Sequence, residues 1–139
     1  MRFMMLMYPG AKAESGRLPT AEEIGPMMKY NEELQRAGVL LALDGLHPSA
    51  RGARIRFNSG KATVTDGPFA EAKELIGGYW IIQVKSREEA LEWASRIPAK
   101  DNEMVVEVRR MFDLTDFDPE TQKEIQKRFG DDVAAEMRQ

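Results

Sequence analysis

The stretch ARIRFNSGKATVT, residues 53–65, reads as a β-hairpin. Ser59-Gly60 supplies a two-residue turn. That turn sets Phe57 opposite Ala62 and Ile55 opposite Val64 on one face, and Arg56 opposite Thr63 and Arg54 opposite Thr65 on the other. The spacing therefore predicts strands over Ala53–Asn58 and Lys61–Thr65, one side apolar and the other polar. What flanks the hairpin decides the fold. Upstream, Arg2–Tyr8 places Phe3, Met5 and Met7 on one face and Met4, Leu6 and Tyr8 on the other. Apolar residues on both faces mark a central strand or one at a contact between subunits. Thr20 with Glu23 has capping-box spacing. Gly25-Pro26 then interrupts, so the helix is expected to start again at Pro26, with Ile24, Met27, Met28, Asn31 and Leu34 at helical spacing and Gly38 just past its end. Val39–Leu46 follows as a strand.

Downstream, Gly77-Gly78 precedes a second doubly apolar strand, Tyr79–Lys85. Ser86 and Glu89 frame a helix whose stripe is Ala90, Leu91, Ala94 and Ile97. Glu103–Arg110 closes the pattern with Met104, Val106 and Val108 on one side, as expected of a half-exposed edge strand. The order β-α-β, hairpin, β-α-β is that of an α+β, ferredoxin-like domain (βαββαβ with an inserted β-hairpin). Its two central strands are the two that are apolar on both faces. Helices cover only one side of such a sheet, so the other side would stay exposed in a monomer, and a homodimer is expected.

The chain has 139 residues, with 42% hydrophobic and 31% charged side chains, the balance of one soluble domain with room for an appendage. Residues 113–139 hold eight Asp/Glu and four Lys/Arg, a net of −4, against +1 for residues 1–112. The expected division is thus a folded domain over 1–112 and an acidic helical C-terminal extension over 113–139. In that extension Asp118-Pro119 caps a helix. Ile125, Phe129, Val133 and Met137 form a stripe that must pack on something, and Gly130-Asp131-Asp132 splits it in two. A near-neutral body with an acidic tail argues against direct nucleic-acid binding and against an anionic membrane surface. No apolar run reaches membrane-spanning length. Cysteine is absent and His47 is the single histidine. Disulfides, thiolate sites and multi-histidine metal sites are excluded, which fits a cytoplasmic location.

The chemistry-bearing stretch is 45–78. It contains His47, a cluster of Arg51, Arg54, Arg56 and Lys61, and the run DGPFAEAKE over 66–74. His47 suits proton transfer because an imidazole titrates near neutrality. Asp66 suits orienting it, as the second half of a dyad. Arg54 and Arg56 suit a small anionic molecule. Each has a plainer reading. His47 before Pro48 can be a hydrogen-bonded loop residue, Asp66 before Gly67-Pro68 a turn former, the arginines a solvated face, and Tyr79 a rim aromatic. The nine methionines read as core filling. There is no phosphate loop, dinucleotide fingerprint or metal cluster, so no cofactor is expected.

The runs Gly-Leu-His-Pro-Ser (45–49), Thr-Asp-Gly-Pro-Phe-Ala-Glu-Ala-Lys-Glu (65–74), Gly-Gly-Tyr-Trp (77–80), Glu-Glu-Ala-Leu-Glu-Trp-Ala (88–94) and Val-Glu-Val-Arg (106–109) closely resemble the DGPF branch of the YciI-like (YCII-related) family. The resemblance covers about residues 1–112. It implies a dimeric ferredoxin-like α/β barrel in which two sheets pack face to face, and a His–Asp active site without a settled reaction for most members. Where classical YciI-like proteins carry a histidine on the first helix, this chain has Met27-Met28-Lys29, leaving His47 to serve. The resulting expectation is a small-molecule acid–base enzyme of the hydrolase or lyase class, or a binding protein. His47 and Asp66 would be its catalytic pair, within hydrogen-bond reach directly or through one water, in a hollow lined by Tyr79 and at least one hairpin arginine. Arg54, Arg56 and Tyr79 would contact substrate. The alternative that the resemblance implies is an accessory protein acting with an extracytoplasmic-function sigma factor, with the DGPF loop and the acidic tail as interaction surfaces.

Overall fold

The computed structural model describes residues 1–99 and 103–137, and side chains through 130. Six strands and three α-helices follow in the order β1 (Arg2–Tyr8), α1 (Ala21–Arg36), β2 (Leu40–Gly45), β3 (Ala53–Asn58), β4 (Lys61–Asp66), β5 (Gly78–Gln83), α2 (Arg87–Ser95), β6 (Val105–Arg110) and α3 (Pro119–Met137). Four strands form an antiparallel sheet in the order β2-β5-β1-β6, so the doubly apolar strands are central, as their sequences require. The hairpin β3–β4 is a separate two-stranded sheet in the register read from sequence. Ser59 and Gly60 both adopt positive φ, 48° and 80°, the left-handed pair that a tight two-residue turn demands.

Helices α1 and α2 cover one sheet face. Phe3, Met5, Trp80 and Ile82 meet Tyr30, Leu34, Ala90 and Ile97 there, and Met5, Leu34, Ile82 and Ala90 are fully buried. Tyr30, which the spacing of α1 did not single out, buries its ring edge-on to Trp80 and Trp93 and donates its hydroxyl to the Trp93 carbonyl at 2.7 Å. That bond is what makes burial of a phenol tolerable.

The restart expected at Pro26 does not occur. Helix α1 runs unbroken from the Thr20 cap, whose Oγ1 accepts the Glu23 N–H at 3.2 Å, through Pro26 to Arg36. Pro26 lies on the solvent side, so the carbonyl its missing N–H would have served faces water, while Tyr30 and Leu34 hold the helix to the core. At the other end Asp118 caps α3 through the Thr121 N–H, and Gly130 (φ 77°) breaks the helix where Gly130-Asp131-Asp132 was expected to split it. Of the expected stripe, Ile125 is half-buried and Phe129 is exposed; the side chains of Val133 and Met137 lie outside the described residues.

The second sheet face carries no helix. By alternation along the strands it presents Met4 and Leu6 of β1, Ile81 of β5, Ala42 of β2 and Val105 of β6. Every residue of the hairpin is exposed, including Ile55, Phe57 and Val64 on its apolar side.

Candidate functional site

Three loops gather at the end of the sheet where β2 and β5 reach Gly45 and Gly78. A 3₁₀ turn over Ala11–Ser15 delivers Glu14. Another over Ser49–Arg51 follows His47 and Pro48. The turn after β4 carries Gly67, the cis-linked Pro68 and Phe69. Ser49 is their hub. Its N–H and hydroxyl both go to the Glu14 carboxylate, at 3.0 and 2.5 Å, and its Oγ accepts the Phe69 N–H at 3.0 Å. The Gly67 N–H bonds the Gly52 carbonyl at 3.0 Å. A Cβ on Gly67 would lie 1.8 Å from the Ser49 carbonyl oxygen, so only glycine fits between these two loops.

The residues expected to form one site line three separate depressions. His47 borders a recess of about 20 Å³, together with Glu14, Pro48 and Gly77. That is room for a single water molecule. The imidazole is exposed and lies 3.4 Å (Nδ1) from the Arg51 guanidinium. Asp66 is exposed at the end of β4, opposite Ala53. Hydrogen bonding joins the loops around His47 and Asp66, but no direct hydrogen bond joins the two side chains. Arg54 and Arg56 line a groove of about 280 Å³ on the polar side of the hairpin, with Thr65 and Phe69.

Tyr79 belongs to a third depression, a cleft of about 240 Å³ between α1 and the ends of β2 and β5. Met7, Ile24, Met27, Met28, Leu43 and Trp80 form its walls and Asn31 is the polar side chain among them; Asp44 and Tyr79 border it at the strand ends, but alternation with Leu43 and Trp80 puts their side chains on the opposite, uncovered sheet face. The Tyr79 hydroxyl donates to Asp44 Oδ2 at 3.2 Å, and this hydrogen bond raises the phenol above its ordinary range. Asn31 accepts the Trp80 indole N–H at 2.8 Å, which leaves its amide hydrogens to donate elsewhere. Apolar walls with a polar side chain among them are a usual build of a small-molecule cleft, and the size lies just below the usual range of about 300–1,000 Å³. Sequence reading missed Asp44, because its place beside Tyr79 depends on the β2–β5 register, which slips at a bulge between Leu40 and Ala42. Among the described residues no group of three or more metal-ligating side chains occurs, and no helix is long and apolar enough to cross a membrane.

A ferredoxin-like α+β domain with an inserted hairpin is the class that the fold defines. The YCII-related domain model matches residues 1–115, and the chain belongs to that family. It is also 41% identical over 77 residues to a protein of Rhizobium meliloti (strain 1021) named Uncharacterized protein R00369. That match covers 52% of this chain and 62% of the relative, so the chain spans under two thirds of the curated relative it matches.

Proposed function

We propose that this YCII-related protein binds a small organic molecule in the cleft between α1 and the ends of β2 and β5, with Asn31 as its polar anchor. The observation that carries this reading is the Asn31 amide, tied to the Trp80 indole, within a wall of methionine, leucine and tryptophan. Flexible thioethers adapt the wall to ligand shape. The test is a screen of small phenols and organic acids read on ¹³C-methyl-labelled methionines. Hits are expected to move the Met27 and Met28 methyl signals and to weaken in Asn31→Ala. A screen whose hits move neither methyl overturns the reading.

The hydrogen bonds that stitch the 47–52 loop to the 66–69 turn favour a second reading, in which His47 and Asp66 carry the proton transfer of the DGPF branch. His47→Ala and Asp66→Asn would then abolish turnover of a screened ligand, and Asn31→Ala would not.

The uncovered face with Met4, Leu6, Ile81 and Val105 supports assembly as a homodimer through the sheet.

A further inference from the structure

We propose that the polar side of the β3–β4 hairpin is a binding site for an organic oxyanion, a carboxylate or a phosphate monoester, and that Phe69 holds Arg54 ready for it. The site lies apart from the Tyr79 cleft, and the proposal does not depend on the function of that cleft.

Arg54 and Arg56 stand two residues apart on one face of β3, roughly 6.6 Å along the strand. Thr65 and Thr63 lie directly across from them on β4. Within residues 51–66 there are four cations, Arg51, Arg54, Arg56 and Lys61, and one acid, Asp66, on a chain whose net charge is −3. The positive charge is therefore concentrated on this arm, where it attracts anions.

The decisive feature is how Arg54 is held. Its guanidinium carbon sits 3.9 Å from the centroid of the Phe69 ring. Among the described residues no carboxylate pairs with Arg54 or with Arg56. Stacking uses the flat face of a guanidinium and leaves its in-plane N–H donors unspent, whereas an ion pair would consume them. Phe69 is a firm platform, since its N–H is bonded to Ser49, which Glu14 fixes in turn. Arg54 is thereby oriented without being neutralised. The adjoining groove of about 280 Å³, lined by Arg54, Arg56, Thr65 and Phe69, has room for the anionic end of a small molecule. Two guanidinium forks and a threonine hydroxyl match the several oxygens of a carboxylate or phosphate.

The test is a ¹H–¹⁵N NMR titration of the full-length chain with inorganic phosphate and, separately, with benzoate, ionic strength being held constant with chloride. The amides of 54–56, 63–65 and 69 are expected to move to saturation with one shared dissociation constant for at least one probe. Saturation by phosphate alone assigns a phosphate monoester, and by benzoate alone a carboxylate. Phe69→Leu is expected to weaken binding at least fivefold while the cross-strand pattern of the hairpin persists. Arg54→Lys, which keeps the charge and leaves the turn carrying Phe69 untouched, is expected to weaken it similarly. Shifts that grow without saturation for both probes overturn the proposal, as does unchanged affinity in Arg54→Lys and Phe69→Leu.

Discussion

The Glu14 carboxylate takes both polar hydrogens of Ser49, the backbone N–H at 3.0 Å and the hydroxyl at 2.5 Å. Thirty-five residues separate the two in sequence. Through them the segment after β1 fixes the loop that follows β2, and that loop fixes the turn after β4. Glu14→Ala is expected to lower stability by about 2 kcal/mol, the scale of hydrogen bonds to a charged acceptor. Urea unfolding gives that number. Faster amide exchange at 47–52 and 67–69, with unchanged exchange in β1 and β5, locates it.

Leu34 and Tyr30 test the core. Leu34 is fully buried, and Leu34→Ala should cost about 2–5 kcal/mol through lost burial and the cavity left behind. Tyr30→Phe removes the hydroxyl and its bond to the Trp93 carbonyl, leaving that carbonyl only the Arg96 N–H at 3.2 Å, and should cost about 1 kcal/mol. Both values come from denaturant midpoints at constant slope.

Tyr79 is the titration test. Its hydrogen bond to the Asp44 carboxylate, and the repulsion that carboxylate would exert on a phenolate, hold the phenol proton more tightly than in a free chain. The stabilisation is present below the ordinary tyrosine value of about 10 and is lost as pH rises through the higher folded value. Ultraviolet difference titration should show one tyrosine brought back toward the ordinary value in Asp44→Asn.

The acid side depends on helix caps. Asp113 is held below the ordinary carboxylate range chiefly by the Thr115 backbone N–H, and Asp118 chiefly by that of Thr121. A depressed carboxyl stabilises the folded form above its ordinary value of about 3.9, and that contribution disappears as pH falls through the folded value. Circular dichroism should therefore show helix loss on acidification below about pH 4, and Asp118→Ala should reproduce part of it at pH 7.

Assembly is tested by mass. Sedimentation equilibrium at micromolar concentration should give about twice 15.8 kDa, and Ile81→Asp, which sets a charge in the middle of the uncovered face, should give the monomer.

Strand order and hairpin register were legible because they rest on local alternation. Phe3 and Met5 must share a face, and Ser59-Gly60 fixes which residues of β3 and β4 stand opposite. Helix α1 was misjudged at Pro26 because a proline costs less where its orphaned carbonyl faces water, and exposure is a tertiary fact. Asp44 and Glu14 escaped notice for a related reason. Each gains meaning only from a partner 35 residues away, Tyr79 in one case and Ser49 in the other, and no short spacing announces such pairs. The arginine pair on β3 was visible, but the role of Phe69 beneath Arg54 was not, because it arises from the path of the turn after β4.

The contact between Gly67 and Ser49 sets where this chain can grow. At the base of the hairpin a single added carbon has no space, while Ser59-Gly60 at its tip touches nothing outside the arm. Insertion is therefore free at one end and forbidden at the other. A peptide of ten residues spliced between Ser59 and Gly60 extends a loop already in solvent, at a cost that grows only with the logarithm of its length. The arm is a natural graft point for an epitope or a fluorophore.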